Sequence, residues 1–581
     1  MPDITISLSA VEKCFPGLDN PAVNRLTTTI RGGGVTGLAG PDGAGKTTLI
    51  RMLAGLLKPD SGEIRVAGFD PIEDSVALRA QLGYMPQKFG LYEDLSVMEN
   101  LRLYAELRGL PHHEQQAVFD RLLTFTDLTR FTGRMAGKLS GGMKQKLGLA
   151  CTLLGQPQVL LLDEPGVGVD PIARRELWRM VHTLADDGML ILWSTSYLDE
   201  AEQCRDVLLL NQGKVIYEGK PAHLTETMEG RSFLLSAAPG ERRRILQEAL
   251  IQPQVSDGVI QGRYVRLIVK PQADTRTLLS ALKCPDAELL PAKPRFEDAF
   301  IDLLGGGPSH RSQLAQIMPQ IPAAPDETVI EAVSLTKKFG DFAATDHVDF
   351  QVKRGEIFGL LGPNGAGKST TFKMMCGLMI PSSGRALVLG LDLKTSSAKA
   401  RSRLGYMAQK FSLYGNLTVA QNLKFFSGAY GLRGKAQQQK IDDMVNAFNF
   451  TPILRQTTED LPLGFKQRLA LACALMHEPD ILFLDEPTSG VDPLTRREFW
   501  LHINGMVDKG VTVMVTTHFM DEAEYCDRIG LVYHGKIIAA GTPDELKASV
   551  ADDTRPDPSM EDAFIGLVEE YDKESAQEAA S

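Results

Sequence analysis

The sequence predicts an α/β fold in which one domain of roughly 220 residues occurs twice in tandem. In each half an apolar strand pattern leads into a glycine-rich loop and then into a helical pattern. Motif pairs recur along the chain at one fixed offset of 322 residues, as between Lys46 and Lys368. Because no net insertion separates the motifs, the chain is interpreted as two copies of one domain. The pairs are GPDGAGKTT at 40–48 and GPNGAGKST at 362–370, LLLDEP at 160–165 and LFLDEP at 482–487, and STSYLDEAEQC at 194–204 and TTHFMDEAEYC at 516–526.

Composition indicates an ordinary globular chain, for which any membrane role would have to be through a partner. Of its 581 residues, 43% are hydrophobic and 23% are charged. No apolar run approaches the ~18 residues of a membrane helix, and the N-terminus does not resemble a signal peptide. The net charge of -11 disfavours nucleic acid as a partner. The odd number of cysteines, seven, without any C-x-x-C spacing, favours a reducing cytosol over secretion.

The two halves differ beyond the C-terminal end of the shared domain. The first half continues with SFLLSA, ERRRILQEAL, YVRLIVK and DTRTLLSALK, which indicate a small βαββα unit of ferredoxin-like type. Both halves then end on a related segment, FEDAFIDLL at 296–304 and MEDAFIGLV at 560–568, and a Gly/Pro-rich stretch between the halves predicts a flexible linker. The predicted segments are a first phosphate-binding domain at 1–230, a small α+β accessory unit at 231–304, a linker at 305–327, a second phosphate-binding domain at 328–548 and a C-terminal tail at 549–581.

The pattern Gly-x-x-x-x-Gly-Lys-[Ser/Thr] occurs once in each glycine-rich stretch. Glycines let successive backbone N–H groups point at phosphate oxygens, and the helix after the loop adds the positive end of its dipole. Lys46 and Lys368 are predicted to neutralise the β- and γ-phosphates, and Thr47 and Ser369 to bind Mg²⁺. The predicted phosphate-binding residues are Gly40, Pro41, Asp42, Gly43, Ala44, Gly45, Lys46, Thr47 and Thr48 in the first copy and Gly362, Pro363, Asn364, Gly365, Ala366, Gly367, Lys368, Ser369 and Thr370 in the second.

Each copy also carries an apolar run that ends in two acidic residues. LLLD and LFLD are typical of a buried parallel strand that delivers a carboxylate to its C-terminal edge. Asp163 and Asp485 are predicted to act on Mg²⁺ through water. Glu164 and Glu486 are predicted to polarise an attacking water.

Further motifs complete a set whose order resembles that of the ATP-binding cassette (ABC) proteins. The resemblance covers about 440 residues in two cassettes. The repeated stretch LGYMPQKFGLYEDLSVMENL at 82–101 narrows it to ATPase subunits of the DrrA/CcmA-like exporter class. The additional motifs are the glutamines Gln87 and Gln409, the signature LSGGMKQ at 139–145, the loops ending in Asp170 and Asp492, and TTHFMDEAE at 516–524.

This resemblance implies two tandem P-loop (RecA-like) ABC nucleotide-binding domains, each with an antiparallel β subdomain and a helical subdomain. We call residues 1–230 the first cassette and residues 328–548 the second cassette. ATP and Mg²⁺ are the implied ligands. Phe15 and Phe339 match the aromatic residue that stacks on adenine. The implied Mg²⁺ ligands are Thr47, Gln87 and Asp163 in the first cassette and Ser369, Gln409 and Asp485 in the second.

In the ABC family two cassettes pair head to tail, so each ATP lies between the P-loop of one cassette and the signature loop of the other. The site built on the second P-loop faces Ser140, Gly141 and Gly142, and it has Glu486 and His518, which matches the switch histidine of the family. We call this the complete site.

The site built on the first P-loop, which we call the degenerate site, departs from the family pattern on both sides. Ser196 stands where the family has its switch histidine, although Glu164 is present. The opposing loop is LPLGF, in which Pro462 lacks an N–H, Leu463 adds a side chain and Gly464 alone remains. We therefore predict asymmetry, in which one site turns over and the other mainly binds ATP. Drift without consequence, and pairing of like cassettes between two chains, are the alternatives.

The predicted function is the ATPase motor of a multidrug-type exporter. The resemblance implies two separate integral-membrane permease subunits, one copy of this chain per transporter and a peripheral location on the cytoplasmic face of the inner membrane. A tandem importer ATPase and a ribosome-bound translation factor are the alternatives. The aromatic residues expected at the permease-binding surface are Phe89, Tyr92, Phe411 and Tyr414.

Overall fold

The computed structural model describes residues 4–16, 20–87, 90–238, 240–284, 287–322, 324, 326–409, 412–553 and 555–580. In the first cassette an antiparallel sheet leads into a mainly parallel one, and helices occupy the crossovers, as the alternation of strand and helix patterns predicts. Its strands are β1 Thr5–Lys13, β2 Val23–Arg31, β3 Gly34–Ala39, β4 Ser61–Val66, β5 Leu82–Met85, β6 Val159–Asp163, β7 Leu190–Thr195, β8 Asp206–Asn211 and β9 Lys214–Gly219. Its helices are α1 Lys46–Leu53, α2 Ser75–Gln81, α3 Val97–Leu107, α4 His112–Phe125, α5 Gly141–Thr152, α6 Pro171–Asp186, α7 Leu198–Glu202 and α8 Pro221–Glu226.

The accessory unit and the linker come next in the chain. Their strands are β10 Ser232–Ser236, β11 Val255–Gln261, β12 Tyr264–Val269 and β13 Leu289–Pro291. Their helices are α9 Arg242–Leu250, α10 Thr275–Ala281, α11 Phe296–Leu303 and α12 Gln313–Ile317. The sheet order β11-β12-β10-β13, antiparallel throughout, is that of a split βαβ unit. The structure therefore has the predicted βαββα order and adds a short fourth strand. Within the predicted linker, α12 buries Leu314 and Ala315.

The second cassette and the tail repeat the plan of the first half. The strands are β14 Thr328–Phe339, β15 Phe342–Lys353, β16 Ile357–Leu361, β17 Ser383–Val388, β18 Leu391–Asp392, β19 Leu404–Met407, β20 Ile481–Asp485, β21 Thr512–Thr517, β22 Arg528–Tyr533 and β23 Lys536–Gly541. The helices are α13 Lys368–Met375, α14 Ser397–Arg401, α15 Val419–Ala429, α16 Gly434–Ala447, α17 Leu463–Ala474, α18 Pro493–Asp508, α19 Met520–Ala523, α20 Pro543–Ala548 and α21 Met560–Ala580.

The parallel sheet of each cassette brings the predicted site residues to one edge. Its order is β5-β6-β7-β3-β8-β9 in the first cassette and β19-β20-β21-β16-β22-β23 in the second. Only the last pair of each sheet is antiparallel. Every residue of β6 and β20 is buried, because these strands are covered on both faces. Since the carboxyl ends of parallel strands meet at one edge, the P-loop after β3, the acids after β6 and Ser196 after β7 converge there. The predicted fold class is confirmed.

The described chain forms two compact units. One comprises Met1–Glu229, Pro294–Leu304 and Gly490–Pro493, and the other comprises Gly230–Lys293, Gly305–Ser489 and Leu494–Ser581. Residues 231–293 of the accessory unit therefore belong with the second cassette, although they come directly after the first cassette in the sequence, whereas residues 294–304, which include α11, belong with the first cassette.

Charged and apolar contacts explain why the accessory unit packs on the second cassette. Arg242 and Arg243 of α9 bind the two carboxylate oxygens of Asp527 at 2.6 and 2.5 Å. Leu501 of α18 contributes to the hydrophobic core of the accessory unit. In the first cassette Arg205 occupies the position of Asp527 and would repel the two arginines of α9. Arg179 occupies the position of Leu501, so the apolar contact would be lost.

In the described part of the chain, none of the helices combines the length and the apolar character needed to cross a bilayer.

Candidate nucleotide-binding sites

Both P-loops have the backbone course that phosphate binding needs. Helices α1 and α13 begin at the P-loop lysines, after Gly45 (φ 103°) and Gly367 (φ 105°). A Cβ atom at Gly45 would lie 2.1 Å from the carbonyl oxygen of Ala22, and one at Gly367 would lie 2.2 Å from that of Ala344. Only glycine fits both the left-handed backbone and the close approach. The N-termini of two helices thus face the loops where phosphate is predicted to bind.

The P-loop lysines lie inside their loops. Lys46 Nζ donates hydrogen bonds to the carbonyl oxygens of Gly40 and Pro41 at 2.7 and 3.3 Å. Lys368 Nζ donates to those of Gly362 and Pro363 at 2.6 and 3.0 Å. Both side chains are buried. Each ammonium group is therefore held at the centre of the anion-binding loop.

A hydroxyl and a carboxylate form the predicted Mg²⁺ site of each cassette. Thr47 Oγ1 donates to Asp163 Oδ1 at 3.2 Å, and Ser369 Oγ donates to Asp485 Oδ1 at 3.5 Å. Burial raises the pKa of both aspartates. Asp163 Oδ2 is buried and accepts no hydrogen bond from the described residues. These oxygen donors fit a hard divalent cation, which would also offset the burial of the carboxylates.

The glutamates that come after the aspartates are held in a strained backbone conformation. Glu164 has φ 51° and Glu486 has φ 48°, values that are uncommon for residues other than glycine. Their N–H groups donate to the carbonyl oxygens of Ser194 and Thr516, at 3.1 Å in each case. Gln87 Nε2 donates to Glu164 Oε2 at 2.6 Å, and Gln409 Nε2 makes the equivalent bond to Glu486 Oε2 at 2.9 Å. Both carboxylates are thereby directed toward the P-loop edge of the sheet.

The two cassettes differ at the residue after the neighbouring strand. Ser196 Oγ donates to Glu164 Oε1 at 2.7 Å, and Lys46 Nζ donates to Ser196 Oγ at 3.3 Å. In the second cassette His518 Nδ1 lies 3.1 Å from Glu486 Oε2. This is an ion-pair distance, and neither imidazole nitrogen of His518 has a hydrogen-bond partner among the described residues.

The groups around Glu486, His518 among them, change the pKa of its carboxylate. Burial alone would raise the pKa of Glu486, but His518, Lys368 and Gln409 outweigh burial and lower it to about 2. The Glu486 carboxylate is therefore ionised at every physiological pH.

The signature loops also differ, while their backbones share the same course. Ser140 is the N-cap of α5, and its Oγ accepts a hydrogen bond from Met143 N at 3.3 Å. Pro462 is the N-cap of α17 with similar extended dihedral angles, but it offers no side-chain acceptor. Leu463, in place of Gly141, is 37% exposed. The second signature loop therefore keeps the helix start and loses its hydroxyl and one glycine.

Comparison with known proteins identifies the family. Residues 23–167 and 345–489 match the family described as ABC transporter. The probable multidrug ABC transporter ATP-binding protein YbhF of Escherichia coli (strain K12) is 70% identical over 578 residues, 100% of both chains. The chain belongs to the ABC transporter ATP-binding protein family. It is an ABC ATPase with two tandem ATP-binding domains.

Two resistance proteins match this ABC ATPase over the length of a single cassette. The linearmycin resistance ATP-binding protein LnrL of Bacillus subtilis (strain 168) is 37% identical over 227 residues, 39% of this chain and 73% of that protein. The daunorubicin resistance ATP-binding protein DrrA3 of Streptomyces coeruleorubidus is 38% identical over 228 residues, 39% of this chain and 72% of that protein. The resemblance to the DrrA-like class is confirmed.

The structure gives the positions of the other predicted site residues of this ABC ATPase, and their roles stay predictions. Phe15 and Phe339, expected to stack on adenine, are 36% and 52% exposed. Asp170 caps α6 by accepting a hydrogen bond from Ala173 N at 3.1 Å, and Asp492 immediately precedes α18. Tyr414 packs edge-to-face on Phe425 with ring centroids 4.8 Å apart. Tyr92 and Tyr414 are about half exposed, whereas Phe89 and Phe411 lie outside the described residues.

Some residues that contact the predicted site residues were not predicted from the sequence. Ser194 and Thr516 donate to the P-loop-facing aspartates at 2.8 and 2.6 Å. Their signal was available, because each lies two residues before Ser196 or His518 at the end of the next strand. Burial, aided by neighbouring carboxylates, raises the pKa of Asp42 to about 6. The second P-loop has the neutral Asn364 at this position, so the two P-loops differ there as well.

Proposed function

We propose that this ABC ATPase powers a membrane exporter of multidrug type, and that ATP turnover occurs mainly in the complete site. The observation that carries the asymmetry is the pair of departures at Ser196 and at Pro462-Leu463. With the cassettes paired head to tail, both departures fall in the degenerate site and none falls in the complete site.

The complete site has the groups that hydrolysis requires. Ionised Glu486, held by Gln409 and close to His518, can accept the proton of a water that attacks the terminal phosphorus. His518 can carry positive charge and stabilise the negative charge that develops on the transferred phosphoryl group. Lys368 and the hydroxyl of Ser140 from the opposing loop add donors at the same group. Mg²⁺, when bound through Ser369 and Asp485, neutralises further charge on the phosphates.

The degenerate site retains binding groups and loses stabilising groups. Lys46, the glycines of the first P-loop, and Thr47 with Asp163 for Mg²⁺ remain, so ATP binding is retained. Ser196 cannot become cationic, and its hydroxyl is already directed at Glu164. In the opposing loop Pro462 offers neither a hydroxyl nor an N–H, and Leu463 adds a side chain where the backbone must approach the phosphate closely. Losing one preorganised donor typically costs ~10²–10³ in rate, so two losses leave turnover in this site slow.

The relatives support export and a membrane partner. The 70% identical relative is described as a probable multidrug transporter protein, and LnrL and DrrA3 are described as resistance ATP-binding proteins. This chain would then serve two integral-membrane permease subunits from the cytoplasmic face of the inner membrane. One chain per transporter suffices, because it carries both cassettes. The cargo would contact the permease subunits rather than the ATPase.

Affinity purification tests the partner class. The chain, tagged in its native cell, is recovered from gently solubilised membranes and its partners are identified by mass spectrometry. We expect two polytopic membrane proteins in stoichiometric amounts. Recovery with ribosomes, or as a chain without partners, would contradict the exporter assignment and favour a translation factor or a free-standing ATPase. Recovery with an importer permease and a substrate-binding protein would contradict export.

A further inference from the structure

A buried carboxylate in the second cassette joins the two segments that carry Glu486 and His518. Glu522 of α19 is fully buried. Its Oε1 accepts hydrogen bonds from the hydroxyl of Thr488 and, at 3.5 Å, from Trp500 Nε1. Its Oε2 accepts one from Thr517 Oγ1 at 2.8 Å. Thr488 lies two residues after Glu486, and Thr517 immediately precedes His518.

The carboxylate also fixes the turn after His518. Thr517 Oγ1, while donating to Glu522, accepts a hydrogen bond from Phe519 N at 2.9 Å. Thr517 therefore joins the end of β21 to the start of α19 around His518. The guanidinium of Arg496 lies 3.9 Å from Glu522 Oε1 and balances its buried charge.

The first cassette has the corresponding carboxylate, Glu200, with a different set of hydrogen bonds. Glu200 Oε2 accepts hydrogen bonds from Thr195 Oγ1 at 2.6 Å and from Trp193 Nε1 at 2.9 Å. Gly166 occupies the position of Thr488, and a Cβ atom there would lie 1.8 Å from Glu200 Oε1. Among the described residues, Glu200 Oε1 and Trp178 Nε1 are buried without hydrogen-bond partners.

The difference is confined to one side of the carboxylate. Both cassettes keep the threonine next to the switch position, Thr195 or Thr517. Among the described residues, the carboxylate is hydrogen-bonded to the segment after the glutamate in the second cassette and not in the first. In the first cassette the indole of Trp193 replaces Val515 and donates to Oε2, the oxygen that already binds Thr195. Within the described part of the chain, Glu200 is therefore hydrogen-bonded to the end of β7 and not to the loop after Glu164.

We propose that Glu522 is a positioning residue of the complete site, which holds the Glu486 and His518 segments in register through Thr488 and Thr517. This proposal rests on the proposed function, in which the complete site performs the turnover. The contact between Glu486 and His518 spans 3.1 Å, and a small shift of either segment changes it. Misplacement of a catalytic group by about 1 Å can cost ~10²-fold in rate, so one buried hydroxyl is sufficient to matter.

Substitutions at Thr488 separate the hydroxyl from the shape of the side chain. Thr488→Val keeps the shape and removes the donor, Thr488→Ser keeps the donor, and Thr488→Gly copies the first cassette. Steady-state ATP hydrolysis by the full chain gives kcat and the KM for ATP, and thermal unfolding checks folding. We expect Thr488→Val and Thr488→Gly to lower kcat about tenfold with the KM within about twofold, because positioning acts on the chemical step. We expect Thr488→Ser to keep more than about half of the wild-type kcat.

Equal kcat values for Thr488→Val and the wild type would overturn the proposal. Equal losses in Thr488→Ser and Thr488→Val would also overturn it, because shape rather than the hydroxyl would then matter. A rise in KM without a fall in kcat would reassign Thr488 to ATP binding and overturn it too. Should Thr488→Val fail to fold, Thr488→Gly decides, since the first cassette folds with Gly166 at that position.

A variant that acts on the corresponding carboxylate of the first cassette, Glu200, provides the control. Thr195→Val removes a hydroxyl from the buried carboxylate of the other cassette, and we expect kcat to stay within about twofold. A loss as large as that of Thr488→Val would overturn the assignment of this tie to the complete site. The asymmetry is tested independently by the glutamine variants of Glu164 and Glu486. A wrong asymmetry proposal can therefore be distinguished from a wrong positioning role for Glu522.

Discussion

Ser196 donates a 2.7 Å hydrogen bond to Glu164, in the place where the second cassette sets His518 against Glu486. The serine leaves the glutamate paired with a neutral group, and the cation beside it is Lys46, with Nζ 3.7 Å from Glu164 Oε1. In the second cassette the glutamate pairs with a group that can carry charge. The two cassettes therefore share a backbone framework here and differ in the group that contacts the glutamate.

We predict that the two glutamates contribute unequally to turnover. Glu486→Gln is expected to lower the rate of ATP hydrolysis by ~10²-fold or more, because it removes the proton acceptor of the complete site. Its position-matched control, Glu164→Gln, is expected to lower the rate by less than about threefold. Steady-state phosphate release from the full chain measures both. Equal losses would rule out the asymmetry.

We predict that the signature loops contribute unequally as well. Ser140→Ala removes the hydroxyl of the intact loop and is expected to lower turnover by at least ~10-fold. It also removes the N-cap of α5, which costs about 1 kcal/mol, so thermal unfolding is measured alongside. Pro462→Ala alters the degenerate loop at the matched position, and turnover is expected to stay near the wild-type rate. A fall in turnover with Pro462→Ala as large as that with Ser140→Ala would show that both loops serve hydrolysis.

The sequence was sufficient to predict elements whose residues act locally. Three features predict two P-loop domains. They are the offset between Lys46 and Lys368, the glycines before each helix, and the apolar strands that end in Asp163 and Asp485. The difference between Ser140 and Pro462 can be recognised from the sequence because the two halves of the chain align with each other. The accessory unit was also predictable as an α+β element from its alternating apolar pattern.

Contacts between distant segments could not be predicted in the same way. The accessory unit packs on the second cassette because Arg242 and Arg243 meet Asp527, a pairing separated by 285 and 284 residues. The tie between Thr488 and Glu522 depends on two loops that meet only when the sheet has formed. A single sequence gives residue types and periodicity but not which buried polar groups satisfy one another.

We predict that acid weakens the wild-type chain more than the Glu486→Gln variant. Because His518, Lys368 and Gln409 lower the folded-state pKa of Glu486 from 4.5 to about 2, the carboxylate adds to the free energy of unfolding above about pH 4.5. That contribution is lost as the pH falls toward 2. Thermal unfolding at pH 7 and pH 4 measures the difference, and the gap between wild type and Glu486→Gln should narrow at pH 4. A gap that widens at pH 4 would contradict the lowered pKa.

We predict that the buried ion pair between Arg497 and Asp257 holds the accessory unit on the second cassette. Arg497 Nε lies 3.0 Å from Asp257 Oδ2, and both side chains are at least 95% buried. Arg497→Met leaves the aspartate charge buried and is expected to lower the free energy of unfolding by about 3–5 kcal/mol. Arg497→Met combined with Asp257→Leu removes both charges and is expected to recover much of that loss, because the costly state is one buried charge without its partner.

The first cassette supplies the control for this ion pair. Arg175 occupies the position of Arg497 there, and it is exposed. Arg175→Met is therefore expected to change the thermal unfolding temperature much less than Arg497→Met does. Limited proteolysis of the accessory unit gives a local measure, because a released unit exposes the segment between β10 and β13 to cleavage. Equal proteolysis of Arg497→Met and Arg175→Met would contradict the role of the pair, since Arg497 contacts the accessory unit through Asp257.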